Sequence, residues 1–578
     1  MKRAAVIALG LFCGGIAIAQ DSLTINQSIE REIEPGTAHS YTIQLNSGDY
    51  VAGWIDQQGI TVLAVAFLPD GSRLRAFGGP REGKRQFAFI ADGAGIYRLE
   101  VRTPTSAESA QDGVELPARG KYELRITEKL SLDERLKPLP HQDKYSSPAI
   151  DALRKQFAAG DKSTASFWRQ AAQSGTPLVE PIDKDEKYVL VTFLWRGNRD
   201  TRNVVVVGSF ETKPMTDYVM TQLADSDVWY LTVKLPNSAR FAYGLSLNDP
   251  LTLYSPRDVQ RRATIQSDPL NPRRWFCGAA ASKYECQSMA ELSNAPPQPW
   301  IVKKDDSPAG KIDKHKIKSD LLKNERNISV YTPPGYRSDG GPYALLVLFD
   351  EGAYLRNVPT PIILDNLIAA SKIPSTVAVL IANPTQESRD KELPPNPDFA
   401  DFLAKELIPW VRAHYNITTD PAQTVVGGSS FGGIAATYAG LRHPEVFGNV
   451  LCQSGSFWWA PDHTFGPDTY TDATTETGWL AKEFIKSPKL PLRFWMDAGV
   501  FEVDPTASGG SILESSRHMR DVLLAKGYEV HYQQFVSGHD YVNWRGTLAD
   551  GLIVLIGRKG ASNNSVLSHI RRDEQLIP

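Results

Sequence analysis

The sequence has few cysteines, little net charge and no long apolar run beyond its first 20 residues. A formal net charge of −3 excludes the basic footprint typical of a nucleic-acid-binding protein. No repeat with a period of roughly 20–50 residues is visible, which argues against solenoids and propellers. With 42% hydrophobic and 22% charged residues, the 578-residue chain is expected to fold into about three globular domains.

The N-terminus has the pattern of an export signal. Lys2 and Arg3 precede an apolar run from Ala4 to Ile18, and Ala17-Ile-Ala19 supplies a small-x-small cleavage site. This pattern predicts a signal peptide at residues 1–19. The run is too short to span a membrane comfortably and polar residues follow it, so no stable membrane insertion is expected after cleavage.

Three of the cysteines remain after that cleavage. Cys277 and Cys286 lie close together in a loop-like stretch, and export would allow them to form a disulfide. Cys452 lies in an apolar run and is predicted to be a buried free thiol. The cysteine spacing suggests no zinc site, and we predict no metal and no cofactor.

Strand-rich patterns occupy the first half of the chain. Residues 22–128 contain short alternating runs such as Gly95–Val101, separated by turn residues, which predicts a β-sandwich accessory domain. Residues 129–162 are read as a linker with a helix. Residues 163–290 again contain strand-like apolar runs, including Val189–Trp195, and are predicted to form a second β-sandwich.

The second half alternates strand and helix patterns. From 297 to 560, near-continuous apolar strands are separated by helical segments, which indicates a mostly parallel sheet covered by helices. Residues 561–578 are read as a C-terminal tail. The predicted fold class is therefore multidomain, with two N-terminal β-sandwich domains followed by a C-terminal α/β-hydrolase domain.

One short stretch carries the strongest chemical signal. Gly428-Ser-Ser-Phe-Gly432 reads G-x-S-x-G, preceded by the apolar run Thr424–Val426 and followed by an Ala-rich helical pattern. This is the nucleophile elbow of α/β-hydrolases, in which glycines relieve crowding at a strained turn. Ser430 is predicted to be the nucleophile, and the N–H of Phe431 is predicted to bind an oxyanion.

A serine nucleophile needs a base and a group that orients the base. His539 follows the last predicted strand, in the loop where α/β-hydrolases place this base. The acid is expected after the strand ending at Met496. Glu502 is the preferred candidate and Asp504 the alternative, while Asp497 at the strand end is expected to be committed to the sheet. The alternative is a Ser-His dyad that has no strong acid.

The second oxyanion donor is expected in the loop after the third strand of the sheet. Phe349–Ala353 is that loop, and the backbone N–H of Glu351 or Gly352 is predicted to act with that of Phe431.

Aromatic and basic residues are expected around the same edge of the sheet. Arg389, Trp458, Trp459 and Arg545 are candidates for a locally positive cleft that accepts an aromatic, anionic substrate. Core packing of the two tryptophans is the alternative.

Several separated motifs recur in a familiar order. They are Phe167-Trp168, Val191–Trp195, Asp268–Pro272, Leu348–Gly352, Arg389–Asn396, Glu406–Trp410, Gly427–Gly433, Ser454–Trp459 and Gly538–Arg545. Together they resemble the enterochelin (ferric enterobactin) esterase family, here with an extra N-terminal jelly-roll or β-sandwich domain. The resemblance implies hydrolysis of ester (trilactone) bonds in ferric catecholate siderophores, with iron arriving only in the substrate.

The resemblance implies that Ser430 is the nucleophile and that His539 is the base. The sequence departs from the family pattern where Ser537 replaces a glycine before the base and where Glu351 is inserted before Gly352. With the signal peptide, the extra domain implies a periplasmic or secreted member. The alternatives are an exported carbohydrate esterase of the feruloyl or acetyl-xylan type, and a non-catalytic siderophore- or glycan-binding protein.

Overall fold

The structure is a computed structural model. It describes residues 21–78, 83–104, 119–135, 145–251, 259–275, 277–278, 281–305, 307–461, 478–503 and 511–557. The predicted signal peptide, the predicted C-terminal tail and Asp504 lie outside these ranges. Among the described residues, no helix combines the length and apolarity needed to cross a membrane.

The first β-rich region, residues 21–130, is built from strands that form two sheets. Its strands are β1 (Asp21–Ser22), β2 (Ser28–Ile33), β3 (Ala38–Leu45), β4 (Tyr50–Gln58), β5 (Leu63–Phe67), β6 (Arg73–Gly78), β7 (Gly83–Ile90), β8 (Gly95–Arg102) and β9 (Gly120–Leu130). The sheet orders are β1-β3-β8-β5-β6 and β2-β9-β4-β7. The alternation of β8 buries Tyr97, Leu99 and Val101, and these pack with β9 side chains in one core.

Helices connect this region to the next one. They are α1 (Leu132–Arg135), α2 (Pro148–Ala158) and α3 (Ala165–Ser174). The helix predicted within the linker at residues 129–162 corresponds to α2. Ser147 caps α2, because its side chain accepts a hydrogen bond from the N–H of Ile150.

The middle β-rich region, residues 178–291, also contains two sheets. Its elements are β10 (Leu178–Ile182), β11 (Asp185–Arg196), β12 (Val204–Gly208), β13 (Thr221–Gln222), β14 (Val228–Pro236), β15 (Arg240–Leu247), helix α4 (Val259–Thr264), β16 (Ile265–Gln266), β17 (Arg274–Trp275) and β18 (Gln287–Glu291), with single 3₁₀ turns at Met215–Tyr218 and Lys283–Glu285. The sheet orders are β10-β11-β14-β13 and β12-β15-β18-β17, and β16 pairs with β15. Cys277 and Cys286 form the predicted disulfide.

The C-terminal region, residues 311–557, contains one large sheet. Its strands are β19 (Lys311–Ser319), β20 (Asn324–Thr332), β21 (Ala344–Leu348), β22 (Thr376–Ile381), β23 (Thr424–Ser429), β24 (Asn449–Gln453), β25 (Arg493–Gly499) and β26 (Glu529–Phe535). The order is β19-β20-β22-β21-β23-β24-β25-β26. The β19–β20 and β20–β22 pairs are antiparallel and the others are parallel.

Helices cover both faces of this sheet. They are α5 (Glu351–Arg356), α6 (Thr360–Ala369), α7 (Gln386–Glu392), α8 (Pro397–Asp401), α9 (Ile408–His414), α10 (Phe431–Arg442), α11 (Trp479–Lys486), α12 (Ile512–Ala525) and α13 (Tyr541–Ile556), with a π-helical segment at Phe402–Leu407 and a 3₁₀ turn at Pro421–Gln423. The helical stretch from Pro397 to His414 therefore contains a wider π-helical turn, and Pro409, which has no backbone N–H, follows that turn.

The central strands are buried on both faces, which explains their unbroken apolar runs. In β21, Leu345 and Val347 face one hydrophobic cluster, and Leu346 and Leu348 face the other. The loops that follow β21, β23, β25 and β26 leave the same edge of the sheet, because these strands are parallel. This edge brings the predicted site residues together.

Candidate active site

Ser430 stands at a sharp turn between β23 and α10. Its backbone has φ 58° and ψ −120°, which is a strained conformation for a residue with a side chain. Gly428 is needed at this turn, since an added Cβ would lie 2.8 Å from the carbonyl carbon of Gly432. The strand, turn and helix of the predicted nucleophile elbow are present.

The Ser430 side chain contacts a second hydroxyl. Ser430 Oγ lies 3.4 Å from Ser456 Oγ, and the Ser456 N–H donates to the Ser430 carbonyl at 3.1 Å. Among the described residues, Ser430 makes no hydrogen bond to His539. Catalytic hydrogen bonds are often long without substrate and shorten when it binds.

Glu502 and His539 are in direct contact. Glu502 Oε1 lies 2.6 Å from His539 Nδ1, and Glu502 Oε2 accepts a hydrogen bond from the Gly499 N–H at 2.6 Å. The Glu502 side chain is 1% exposed, whereas that of His539 is 39% exposed. A carboxylate at Nδ1 keeps the proton there and leaves Nε2 as the proton acceptor.

Asp497 has a different environment. It lies in β25, where its Oδ1 accepts a hydrogen bond from the Ser454 N–H at 3.2 Å. Complete burial, with a smaller contribution from the charge of Glu502, raises the pKa of Asp497 to about 8. Of the described carboxylates in this segment, Glu502 is therefore the one placed to orient His539. The alternative Asp504 lies outside the described residues.

The predicted oxyanion loop lies beside the elbow. Asp350 adopts φ 54° and ends the loop after β21, so that Glu351 and Gly352 begin α5. The Glu351 side chain is buried and accepts a hydrogen bond from the Ser329 hydroxyl. Amides in the first turn of a helix are directed out of its N-terminus, where they favour negative charge.

Arg389 is paired with this loop. Its Nε and Nη2 donate to the two carboxylate oxygens of Asp350 at 2.7 and 2.9 Å, and Asn383 Nδ2 donates to the same carboxylate at 2.5 Å. The guanidinium also lies 5.8 Å from the Phe431 ring centroid. Arg389, which is predicted to bind substrate, thus contacts both the oxyanion loop and the nucleophile elbow.

The two tryptophans lie in different environments. Trp459 is buried in the main core, edge-on to Trp479, as the core-packing alternative expects. Trp458 is partly buried, with its ring centroid 5.9 Å from that of Phe431 at the start of α10. Trp458 is therefore the better placed of the pair to line a cleft near Ser430.

Arg545 lies between the C-terminal and middle regions. Its Nε donates to Gln298 Oε1 at 2.7 Å, and its guanidinium lies 4.7 Å from the Trp275 ring centroid. Burial, together with the nearby Arg240 charge, lowers the pKa of Arg545 to about 10, so it stays positively charged at neutral pH.

Several residues that the sequence did not single out lie around His539. The Trp544 ring lies edge-on to His539 with centroids 4.8 Å apart, and Trp544 Nε1 donates to Ser454 Oγ at 3.0 Å. Ser209 Oγ donates to Asp540 Oδ2 at 3.1 Å. The hydrogen bonds of Trp544 and Asp540 join residues far apart in the chain, so no local sequence pattern predicts them.

Family models match two parts of the chain. The model described as "Enterochelin esterase, N-terminal" matches residues 190–301, and the model described as "Putative esterase" matches residues 319–555. The first β-rich region lies outside both matches.

Named relatives cover most of the chain. The iron(III) enterobactin esterase of Dickeya dadantii is 32% identical, over 70% of this chain and 94% of that protein. The iron(III) salmochelin esterase of Escherichia coli O6:H1 is 28% identical, over 71% of this chain and 98% of that protein.

A solved structure supports the same relationship. The enterobactin esterase of Shigella flexneri, determined in the presence of enterobactin, is 28% identical with a TM-score of 0.53, and the match covers 68% of this chain and 97% of that one. The chain is a hydrolase acting on ester bonds, and it belongs to the enterochelin esterase family.

Proposed function

We propose that this protein hydrolyses the trilactone ester bonds of a ferric catecholate siderophore such as enterobactin, with Ser430 as nucleophile, His539 as base and Glu502 as the orienting acid. The observation that carries the proposal is the 2.6 Å contact between Glu502 and His539 at the sheet edge where Ser430 stands. The carboxylate is buried and fixed by the Gly499 amide, so the imidazole is held in one tautomer.

In the proposed reaction, Ser430 Oγ attacks an ester carbonyl and passes its proton to His539 Nε2. Glu502 stabilises the resulting imidazolium. The amide of Phe431, with that of Glu351 or Gly352, stabilises the tetrahedral oxyanion. His539 then protonates the leaving alcohol, and water hydrolyses the acyl-enzyme by the reverse sequence of proton transfers.

The substrate follows from the relatives. The two relatives are named as esterases of iron(III) enterobactin and iron(III) salmochelin. The related Shigella flexneri structure was determined in the presence of enterobactin. In such a substrate the iron belongs to the siderophore, and we propose that the protein itself needs no metal or cofactor. Arg545 and Trp458 supply a positive charge and an aromatic ring suited to an anionic catecholate.

The location and the accessory regions are part of the same proposal. The N-terminal pattern around Ala19 supports export, to the periplasm or out of the cell. The paired sheets of the first and middle β-rich regions support two β-sandwich domains, of which the middle one shapes a wall of the cleft.

The experiment that tests this function is a comparison of two substrates. The purified mature protein is incubated with ferric enterobactin and, separately, with methyl ferulate, and the products are separated by chromatography. We expect ring-opened dihydroxybenzoyl-serine products and little ferulate. Fast ferulate release with intact siderophore would instead support the carbohydrate esterase alternative.

A further inference from the structure

The loop that carries His539 rests on the middle β-rich region. We call residues 536–540 the base loop. The Val536 carbonyl accepts a hydrogen bond from the Arg240 N–H at 3.0 Å, at the start of β15. Gly538 lies so close to Ser209 that an added Cβ would be 1.7 Å from the Ser209 carbonyl oxygen. The backbone of the base loop therefore fits directly against another part of the chain.

The other end of the base loop is also held by Ser209. Ser209 Oγ donates to Asp540 Oδ2 at 3.1 Å, while Asp540 Oδ1 accepts from the Val542 N–H at 3.0 Å and caps α13. Ser209 is itself fixed, because its N–H donates to the Ala242 carbonyl at 3.0 Å. One buried carboxylate thus connects the residue after His539 to the middle region.

The segment that carries Glu502, residues 500–503, contacts the same surface, and we call it the acid loop. Phe501, which precedes Glu502, packs with Val536 against the core of the middle region. The Phe501 N–H donates to the Ser537 carbonyl at 3.1 Å, so the acid and base loops are also joined to each other. Both loops that carry the Glu502–His539 pair therefore contact the middle region.

We propose that the middle β-rich region sets the geometry of the Glu502–His539 pair. Ser209 of the middle region and Gly538 of the base loop, which contact each other, act as the positioning residues. This inference rests on the proposed roles of Ser430 and His539. Within the C-terminal region the base loop is held by the Phe501–Ser537 hydrogen bond and by the Asp540 cap of α13, and Arg240 and Ser209 add contacts from the middle region. A displacement of about 1 Å at a reacting group costs on the order of 100-fold in rate.

The test uses the full-length mature protein and p-nitrophenyl acetate, a small ester that needs no siderophore recognition. Gly538→Ala forces the base loop away from Ser209, and we expect kcat to fall about 100-fold with KM changed less than threefold. Gly341→Ala is the matched control, because an added Cβ there meets no atom within 4 Å. The control should keep wild-type kcat.

A milder pair of variants keeps the test decisive if Gly538→Ala does not fold. Ser209→Ala removes the hydroxyl bonded to Asp540 and should lower kcat about three- to tenfold. Ser209→Thr keeps a hydroxyl and should restore most of it. In the Ala variant, the acidic limb of the pH profile of kcat/KM should move to lower pH, since the imidazolium is less well paired with Glu502.

Two outcomes separate this inference from the proposed function. If Ser430→Ala is inactive while Gly538→Ala and Ser209→Ala keep wild-type kcat and pH profile, the positioning role is overturned and the proposed function stands. If Ser430→Ala keeps wild-type turnover, the proposed function fails, and the positioning role fails with it.

Discussion

Glu502 and His539 form a 2.6 Å hydrogen bond between a buried carboxylate and a partly exposed imidazole. The exposed part of the ring is free to meet substrate while the buried part is fixed. Because Glu502 holds Nδ1, the imidazole keeps one tautomer while Nε2 accepts and returns a proton.

Glu502→Gln should lower kcat by about 10³- to 10⁴-fold, because the amide NH₂ facing Nδ1 favours the wrong tautomer. Steady-state hydrolysis of p-nitrophenyl acetate checks this, with Asp497→Asn as the control that stays within tenfold of wild type. Activity of Glu502→Gln within tenfold of wild type would remove Glu502 from the mechanism and favour a dyad.

Asp497→Asn should change stability in a pH-dependent way. Burial raises the pKa of Asp497 from 3.8 to about 8, so the folded state holds a proton that the unfolded chain releases. The free energy of unfolding of the wild type therefore decreases as the pH rises from about 4 to about 8. The Asn variant should show a flatter dependence of Tm on pH between pH 4 and 8, as checked by calorimetry. Equal slopes in both proteins would contradict it.

Trp544→Phe keeps a ring beside His539 but removes the Nε1 donor to Ser454 Oγ. Leaving that buried hydroxyl without its partner should cost about 1 kcal/mol and lower Tm by about 2–4 °C. We also expect kcat to fall about three- to tenfold, because the edge contact that fixes the imidazole loosens. Trp410→Phe, which changes a ring stacked on His414, should leave kcat unchanged.

Arg389→Met should impair all substrates rather than anionic ones alone. It removes the cation that pairs with the Asp350 carboxylate beside the oxyanion loop, at a cost of about 3 kcal/mol in unfolding free energy. Denaturant unfolding and kcat for p-nitrophenyl acetate should both fall, and Asp350→Asn in the same chain should recover part of the stability. A raised KM for ferric enterobactin, with neutral-ester turnover intact, would mean that Arg389 acts only in binding the siderophore.

The elbow was predictable because its signal is local. A buried strand, the motif around Ser430 and a helix follow one another in the chain, and each has its own pattern. The place of His539 followed from chain order, since it lies directly after the last strand. The apolar α13 was not predicted, because a helix buried on most sides lacks the amphipathic period that marks a surface helix.

The remaining features depend on contacts between distant residues. Glu502 and Asp504 are two positions apart in the sequence, which does not distinguish them, and only the fold shows that Glu502 contacts His539. Arg389 is predicted from the sequence to bind substrate in a locally positive cleft, yet in the structure it pairs with Asp350, which is 39 residues away. The contact between Ser209 and Asp540 spans 331 residues, and no sequence pattern predicts such a pair.

Ser430 is proposed to be the nucleophile that hydrolyses a siderophore ester. The most direct measurement is the initial rate of ferric enterobactin hydrolysis by wild type and by Ser430→Ala at equal concentration, with equal Tm verified first. Ser430→Ala should lose about 10⁴- to 10⁶-fold in kcat, while wild type releases dihydroxybenzoyl-serine. Retained hydrolysis by Ser430→Ala, or no hydrolysis by wild type, would contradict the claim.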